Sequence, residues 1–511
     1  MLPPERRLGE VRPLIEEKGY FVLHAPRQTG KTTCLLTLAE TLTKEARFAA
    51  TLASCKPGAT AGDDLSRGIP AIIRSVERSA SALGAELRPD PVETVAAVEA
   101  ESMLKVYLER WCESCPRPVV LFLDEVDSLS GATLLSLLNQ LHAGYTTARR
   151  SFPWSLALVG VRDIRDYNVP RRGGRTALGT SSPFNIKSES LRLVDFTAAD
   201  VTELYAQHTA DTGQRFTAEA VACAFELTCG QPWLVNALAR QATRDVPDRS
   251  RTIDVSDIEA AREALIQRRD THIDSLVDRL RETRIQRIIE PILSGGYVSD
   301  EVLDDDVQLV KDLGLVARGP SGLEIANPIY REVIPRALTA VAEEYLPVTR
   351  AAYIAADGGL KYDDLLDGFI DFWRRHAEHF LKRQPYAEAA AQLVFMAWLH
   401  RIVNGRAPGG TPTIEREYAV GSGRVDLLIR WPLPGGGLQQ HAIELKVWRD
   451  DSQDDPLAEG LDQLGGYLAR LGLDSGTLLI FDRRASAPPL PDRIARESRQ
   501  HPGRSIEIIR L

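Results

Sequence analysis

Cysteine is scarce and scattered in this chain: six in 511 residues, and the C-x-x-C pair Cys112 and Cys115 has no second pair or H-x-x-x-H to complete it. A compact disulfide framework and a finished tetrahedral zinc site are therefore excluded. Long apolar runs are also missing, none approaching the roughly 20 residues that cross a bilayer. Residues 1–18 carry charge without the apolar stretch of a secretory leader, so the expected location is cytoplasmic, with no membrane partner. Nor is there a positive excess. Lys and Arg number 62 against 71 Asp and Glu, a net charge of -9, which confines any nucleic-acid contact to a local basic groove. Repeats and low-complexity tracts are absent. What is present, 44% apolar and 26% charged residues, is ordinary globular composition, and at this length it implies about two to four domains.

The richest stretch is residues 21–38, FVLHAPRQTGKTTCLLTL, where an apolar run breaks into a polar loop and resumes as a helix. Gly30, Lys31 and Thr32 close the pattern G-x-x-x-x-G-K-S/T. In that pattern backbone N–H groups at a helix N-terminus surround phosphates, the lysine reaches their outer oxygens and the hydroxyl holds Mg2+. The loop residues are Ala25, Pro26, Arg27, Gln28, Thr29, Gly30, Lys31, Thr32 and Thr33. Ala25 replaces the first glycine, a cheap change unless the backbone there needs a positive φ. A second apolar strand, VVLFLDE at 119–125, ends in Asp124 and Glu125, at the carboxyl end where parallel sheets hold ligands. Asp124 is expected to complete the Mg2+ shell and Glu125 to polarise the attacking water. Read singly, the motifs are a chance loop before a helix and a solvated acidic strand end; their order, each behind a strand, points to an ATP site.

The periodicity predicts a strand at 48–53, a helix over 63–83, a long helix over 92–112 and a buried strand at 156–161 ending in Arg162. Alternating strands and helices imply a parallel, doubly wound α/β sheet. Arg162 either senses the γ-phosphate or pairs with Asp163 or Asp166. Residues 167–182 read as a basic loop, either solvated or holding an arginine finger for a second subunit. Over 197–246 only helical periodicity remains, as in a lid. Gly230, Gln231 and Pro232 there form first of all a helix-turn-helix junction. At this point the chain, from about residue 8 to 338, resembles the STAND and archaeal-type branch of AAA+ ATPases. That resemblance implies that Gly230 and Pro232 touch the nucleotide; a homo-oligomer is the expected assembly, with its size left open. Helices at 283–293 and 304–313 and a hairpin around residues 319–322 read as a winged-helix module. Its second helix carries Asp304, Asp305, Asp306 and Asp312 against Lys311, which favours protein packing over DNA reading.

Composition shifts again near 345–360. An amphipathic helix over 386–403 including Glu388 is expected, then a hairpin of two strands holding Asp426 and Glu444-x-Lys446. Residues two apart share a face of a strand, so Glu444 and Lys446 point at one site. The carboxylates of Asp426 and Glu444, with the Leu445 carbonyl as a third ligand and Glu388 as an addition, suit Mg2+ or Mn2+. Lys446 is expected to orient water and steady transition-state charge. The alternative is a hairpin with surface ion pairs, but Ala442, Ile443, Leu445 and Val447 make the strand apolar, where charge needs a reason. The order of helix, Asp strand, ELK strand and a helix bearing Gln463 and Tyr467 resembles the PD-(D/E)XK nuclease superfamily. Tyr467 either faces the site with Gln463 or packs in the core.

The expected fold class is α/β: a P-loop AAA+ ATPase core (1–195), a helical lid (196–280), a winged helix (281–345) and a PD-(D/E)XK nuclease-like domain (346–511). The whole resembles fused prokaryotic AAA+ and PD-(D/E)XK proteins. That implies an ATP-controlled, metal-dependent DNA nuclease, in defence against foreign DNA or in mobile-element biology. The alternative is a nucleotide-switched signalling scaffold whose nuclease-like domain binds without cleaving.

Overall fold

The computed structural model describes residues 2–147, 151–161, 168–171, 174–177, 189–268, 278–293, 298–300, 304–319, 322–345, 350–383, 390–403, 407–410, 412–420, 423–450 and 454–511. The chain divides into two compact units. The first comprises Met1–His272, Asp300–Arg318 and Ala326–Ile329, the second Ile273–Ser299, Gly319–Ile325 and Tyr330–Leu511.

In the first unit, strands β1 (Tyr20–His24), β2 (Ala49–Ser54), β3 (Val119–Asp124) and β4 (Ser155–Gly160) are apolar at nearly every position. They assemble with β7 (Glu189–Arg192) into a sheet of order β2-β3-β4-β1-β7, each pair parallel. Both faces are covered, which is why alternation is lost. Tyr20, Val22, Leu121, Leu123 and Leu156 pack under the helices Leu65–Ala80, Ala100–Ser114 and Gly131–Thr147. Phe21, Leu23, Val120, Phe122 and Val159 pack under Val11–Glu16 and Lys31–Lys44. The carboxyl ends of β1 and β3 thus open on one edge, where the two motifs lie.

Two expectations are corrected here. The long helix at 92–112 is a short 3-10 turn, Val92–Val95, followed by the helix Ala100–Ser114. The basic loop contains two short strands, β5 (Asn168–Arg171) and β6 (Gly174–Ala177), paired antiparallel. Among the described residues, the stretch expected to form a lid holds four helices, Ala198–Thr212, Ala218–Thr228, Pro232–Asp245 and Val255–Arg268. The first begins with a capping box between Thr197 and Asp200, which satisfies otherwise orphaned N–H groups.

The acidic helix at 304–313 is found as Asp305–Asp312, capped by Asp304, whose carboxylate accepts from the Asp306 N–H at 2.7 Å. Asp312 is fully buried, 3.6 Å from Nδ1 of His24, the last residue of β1. A Cβ on the neighbouring Gly314, where φ is +70°, would stand 2.7 Å from the Pro26 ring. This acidic helix end therefore packs on the root of the phosphate loop. Strands β8 (Val316–Gly319) and β9 (Gly322–Ile325) follow.

The second unit is built on a six-stranded sheet of order β10-β11-β12-β13-β15-β14, formed by β10 (Thr413–Val420), β11 (Gly423–Pro432), β12 (Leu438–Trp448), β13 (Ser475–Asp482), β14 (Ala495–His501) and β15 (Arg504–Arg510). β10 to β12 are an antiparallel meander, so the expected two-stranded hairpin is one strand short. β12, β13 and β15 run parallel, with the helix Leu457–Leu471 as the crossover between β12 and β13. That helix covers one face over Leu428, Ala442, Leu478 and Ile508. Helices Tyr362–Arg383 and Ala390–Val403 cover the other over Ile443, Leu445, Leu479 and Ile509. The expected amphipathic helix is a correction: Ala390–Val403 is buried on every side from Ala390 to His400, as a helix sandwiched in a core must be.

Candidate nucleotide and metal sites

The loop after β1 turns on Gly30, whose φ of +86° places it in the left-handed region just before the helix Lys31–Lys44. Glycine reaches that conformation without steric cost. Ala25 does not need it: the residue is buried, lies outside the positive-φ set, and donates its N–H to the Gly160 carbonyl at 3.3 Å. The missing first glycine therefore carries no strain. Thr29 Oγ1 bonds the Pro26 carbonyl at 2.9 Å, bracing the loop.

Lys31 Nζ donates to the Ala25 and Pro26 carbonyls at 2.7 and 2.8 Å. Burial lowers its pKa to about 8, against the opposing pull of Asp124 and Asp127. A bound triphosphate restores the charge, so at pH 8.5 ATP binding is expected to take up a proton, and affinity to fall about tenfold per pH unit above that pKa. Calorimetry in buffers of different ionisation enthalpy measures the uptake. A binding enthalpy at pH 8.5 that ignores the buffer would show Lys31 already charged in the empty loop.

Thr32 Oγ1 donates to Asp124 Oδ2 at 2.5 Å, and Asp124 Oδ1 accepts the Glu125 N–H at 2.8 Å. A hydroxyl and a carboxylate this close, at the end of the phosphate loop, fit the shell of Mg2+, whose bound water both can hold. Glu125 itself has φ of +57° and accepts from Ser54 Oγ at 2.5 Å. Strain in such a residue is concentrated where function needs a side chain aimed.

A cavity of about 290 Å³ opens beside Gln28, Gly30 and Thr33. Its far walls are Leu2, Phe196, Pro232 and Trp233, an apolar slot sized for a planar base. Arg7 closes it, donating to the Val194 carbonyl at 2.8 and 2.6 Å and to the Thr29 carbonyl at 2.8 Å, with its guanidinium 4.8 Å from the Phe196 ring centre. Of the predicted lid residues, Pro232 lines this cavity, whereas Gly230 stands behind it. The Gly230 carbonyl accepts from the Phe196 N–H at 2.8 Å, and φ is +77°. A Cβ there would lie 1.9 Å from the Phe196 carbonyl oxygen. Gly230→Ala is therefore expected to cost about 2 kcal/mol or more and to weaken ATP binding by shifting Phe196. An unchanged melting midpoint would contradict this. Arg162 lies outside the described residues.

Residues 14–167 match the family described as AAA domain. This part of the chain is an AAA domain. Its fold is the P-loop AAA type with a parallel sheet. Among solved structures, the chain is similar to the Walker-type ATPase of Pyrococcus abyssi at 15% identity and TM-score 0.44, covering 65% of this chain and 96% of that one. The Thermotoga maritima RuvB Holliday junction branch migration motor gives 16% and 0.34, covering 65% and 93%. Cdc6p from Pyrobaculum aerophilum gives 14% and 0.34, covering 67% and 93%. No curated protein sequence matches the chain.

Beyond the AAA domain, the second unit gathers the other predicted residues. The antiparallel register pairs Leu427 with Ile443, which sets Asp426 beside Glu444. Asp426 Oδ2 accepts the Leu445 N–H at 2.7 Å. Lys446 Nζ lies 2.5 Å from Gln463 Oε1, 3.2 Å from Glu444 Oε1 and 3.4 Å from Glu459 Oε1. Glu444 is 3% exposed, and its Oε2 has no hydrogen-bond partner among the described residues. Burial first, then Asp426, pushes the Glu444 carboxyl up to about 8, with Lys446 opposing. For Lys446, burial lowers the pKa but Glu444, Asp426 and Glu459 outweigh it and raise it. A buried carboxylate oxygen left unbonded beside a second carboxylate fits a divalent cation. Among the described residues no three His, Cys, Asp or Glu side chains form a cage. Glu388, the expected third carboxylate, lies outside the described residues. Tyr467 packs against the core under its helix.

Sequence reasoning missed Arg7, Phe196, Trp233, Ser54 and Glu459. Only Glu459 had a usable signal, one helical turn before Gln463.

Proposed function

We propose that this protein binds and hydrolyses ATP and uses that cycle to control a metal-dependent DNA endonuclease of PD-(D/E)XK type in its second unit, in defence against foreign DNA or in mobile-element biology. At the first site Lys31 meets the outer phosphate oxygens, Thr32 and Asp124 hold Mg2+, and Glu125 orients the attacking water once it leaves Ser54. Arg7 and Phe196 fix the base, and Pro232 carries the lid. At the second site Asp426, Glu444 and the Leu445 carbonyl hold Mg2+ or Mn2+, which supplies Lewis-acid stabilisation of the phosphoryl oxygen. Lys446 positions water and balances developing charge, while Gln463 aims the ammonium. The working form is a cytoplasmic homo-oligomer.

The unbonded buried oxygen of Glu444, between Asp426 and Lys446, supports the nuclease reading most. The test is incubation of the full chain with supercoiled plasmid and with single-stranded RNA, in Mn2+ or EDTA, with and without ATP. Nicking of plasmid in Mn2+ that disappears in EDTA is the expected result. One observation favours the second reading, a nucleotide-switched scaffold that binds without cutting: Glu444, Glu459 and Gln463 surround the Lys446 ammonium. Divalent-metal and DNA binding without any strand scission would establish that reading.

A further inference from the structure

The second unit holds a larger cavity, about 500 Å³, on the face of its sheet opposite Glu444 and Lys446. Its floor is made by odd-numbered residues of three parallel strands. Register sets Ser475 against Ser505, Thr477 against Glu507, and Ile443, two residues after His441, against Thr477. Tyr362, at the start of its helix, forms a wall. Its ring stacks on His441 with centroids 3.9 Å apart and planes 11° from parallel, and its hydroxyl donates to Thr477 Oγ1 at 2.9 Å. His441 Nε2 is buried without a hydrogen-bond partner among the described residues.

The charge of this lining is one-sided. Asp363, Asp364 and Glu507 contribute carboxylates against Lys361. The nearby Arg496 is engaged by Glu507 at 2.5 Å, by Asp367 and by Asp363. Burial holds His441 neutral, its pKa lowered to about 4. Hydroxyls, carboxylates and a neutral ring nitrogen offer hydrogen bonds while repelling phosphate. Carboxylates holding ribose hydroxyls are a recurrent solution to diol recognition, and a flat ring pair suits the face of a sugar or base. The volume is that of a small-molecule site.

We propose that this cavity binds a small phosphate-free ring compound bearing adjacent hydroxyls, as a free sugar or a nucleoside does, with its ring against the Tyr362 and His441 wall and its hydroxyls on Glu507, Ser475 and Ser505. The site is independent of the nuclease reading.

The test uses the full chain with its AAA domain saturated by a slowly hydrolysed ATP analogue, so that no nucleoside enters the first cavity. Calorimetric titrations with ribose, glucose, adenosine and cytidine, and with AMP and spermidine, separate the sources. Saturable binding of a sugar or a nucleoside is expected, with AMP at least tenfold weaker than adenosine. Ser475→Trp, which fills the cavity from an exposed strand start, and Glu507→Gln are both expected to weaken binding at least tenfold while leaving the ATP-analogue affinity unchanged. Silence from all four neutral probes, AMP binding as tightly as adenosine, tighter binding of spermidine, or unchanged affinity in Ser475→Trp would each overturn the assignment.

Discussion

Lys31→Ala is expected to weaken ATP binding about a hundredfold, because it removes a half-buried cation whose charge-assisted hydrogen bonds to phosphate are each worth about 1.5–3 kcal/mol. Glu125→Gln is expected to do something different: near-normal affinity, with hydrolysis slowed about 10²-fold or more through loss of water activation. The two residues lie on different elements, Lys31 opening the helix after β1 and Glu125 following β3, one bonded to its own loop carbonyls and the other to Ser54. Their effects should therefore separate cleanly. Titration with a fluorescent ATP analogue and a phosphate-release assay read them. Equal affinity of Lys31→Ala and wild type would remove the ATP assignment, and unimpaired turnover in Glu125→Gln would move water activation to another residue. Lys31 also braces Ala25 and Pro26, so the melting midpoint of each variant has to accompany the affinity.

Much of the first site was legible because its chemistry is local. A strand, a turn of fixed length and a helix N-terminus are contiguous in sequence, so 21–38 announces the phosphate loop before any packing is known. Asp124 and Glu125 were legible for the same reason. The cavity beside the loop was not. Arg7, Phe196 and Trp233 meet only because the fold brings three distant segments together, and none has a neighbour in sequence that marks it. The pairing of Asp312 with His24 is of the same kind. The run of aspartates argued against phosphate contact, and the burial of Asp312 beside the loop root came from the fold.

In the second unit, period-two alternation revealed Glu444 and Lys446 on one face, and the register of β11 and β12 brings Asp426 to them. β14 was missed for a physical reason. Its sequence ARESRQH is polar after Ala495 and exposed along almost its whole length, so no alternation exists to be read, as edge strands often require. The helix Ala390–Val403 was misread for the opposite reason, since a helix buried on all sides has no polar face to set its phase.

Glu444 carries the second large effect. In EDTA its carboxyl has a folded pKa near 8 against an unfolded value near 4.3. A raised acid pKa means the folded state holds the proton more tightly. The stability it confers is complete below the unfolded pKa and is lost as pH rises through about 8. Glu444→Gln, neutral at every pH, is therefore expected to match wild type near pH 4 and to exceed it at pH 8.5–9 by an amount on the order of a few kcal/mol. Calorimetric melting of the full chain in EDTA, resolved by transition because two units need not unfold together, measures this. Divalent metal competes with the same proton, so wild-type Mn2+ affinity should climb with pH and level off above 8. Cleavage should respond in the reverse sense to stability. Glu444→Gln and Asp426→Asn are expected to lose it by about 10³-fold or more, Asp426→Asn keeping an oxygen for the Leu445 N–H. Lys446→Ala is expected to bind Mn2+ yet slow the chemical step about 10²-fold, because its role lies in the transition state. If wild type binds no divalent ion, or if nicking survives Glu444→Gln, the two carboxylates are not a nuclease centre and the scaffold reading takes their place.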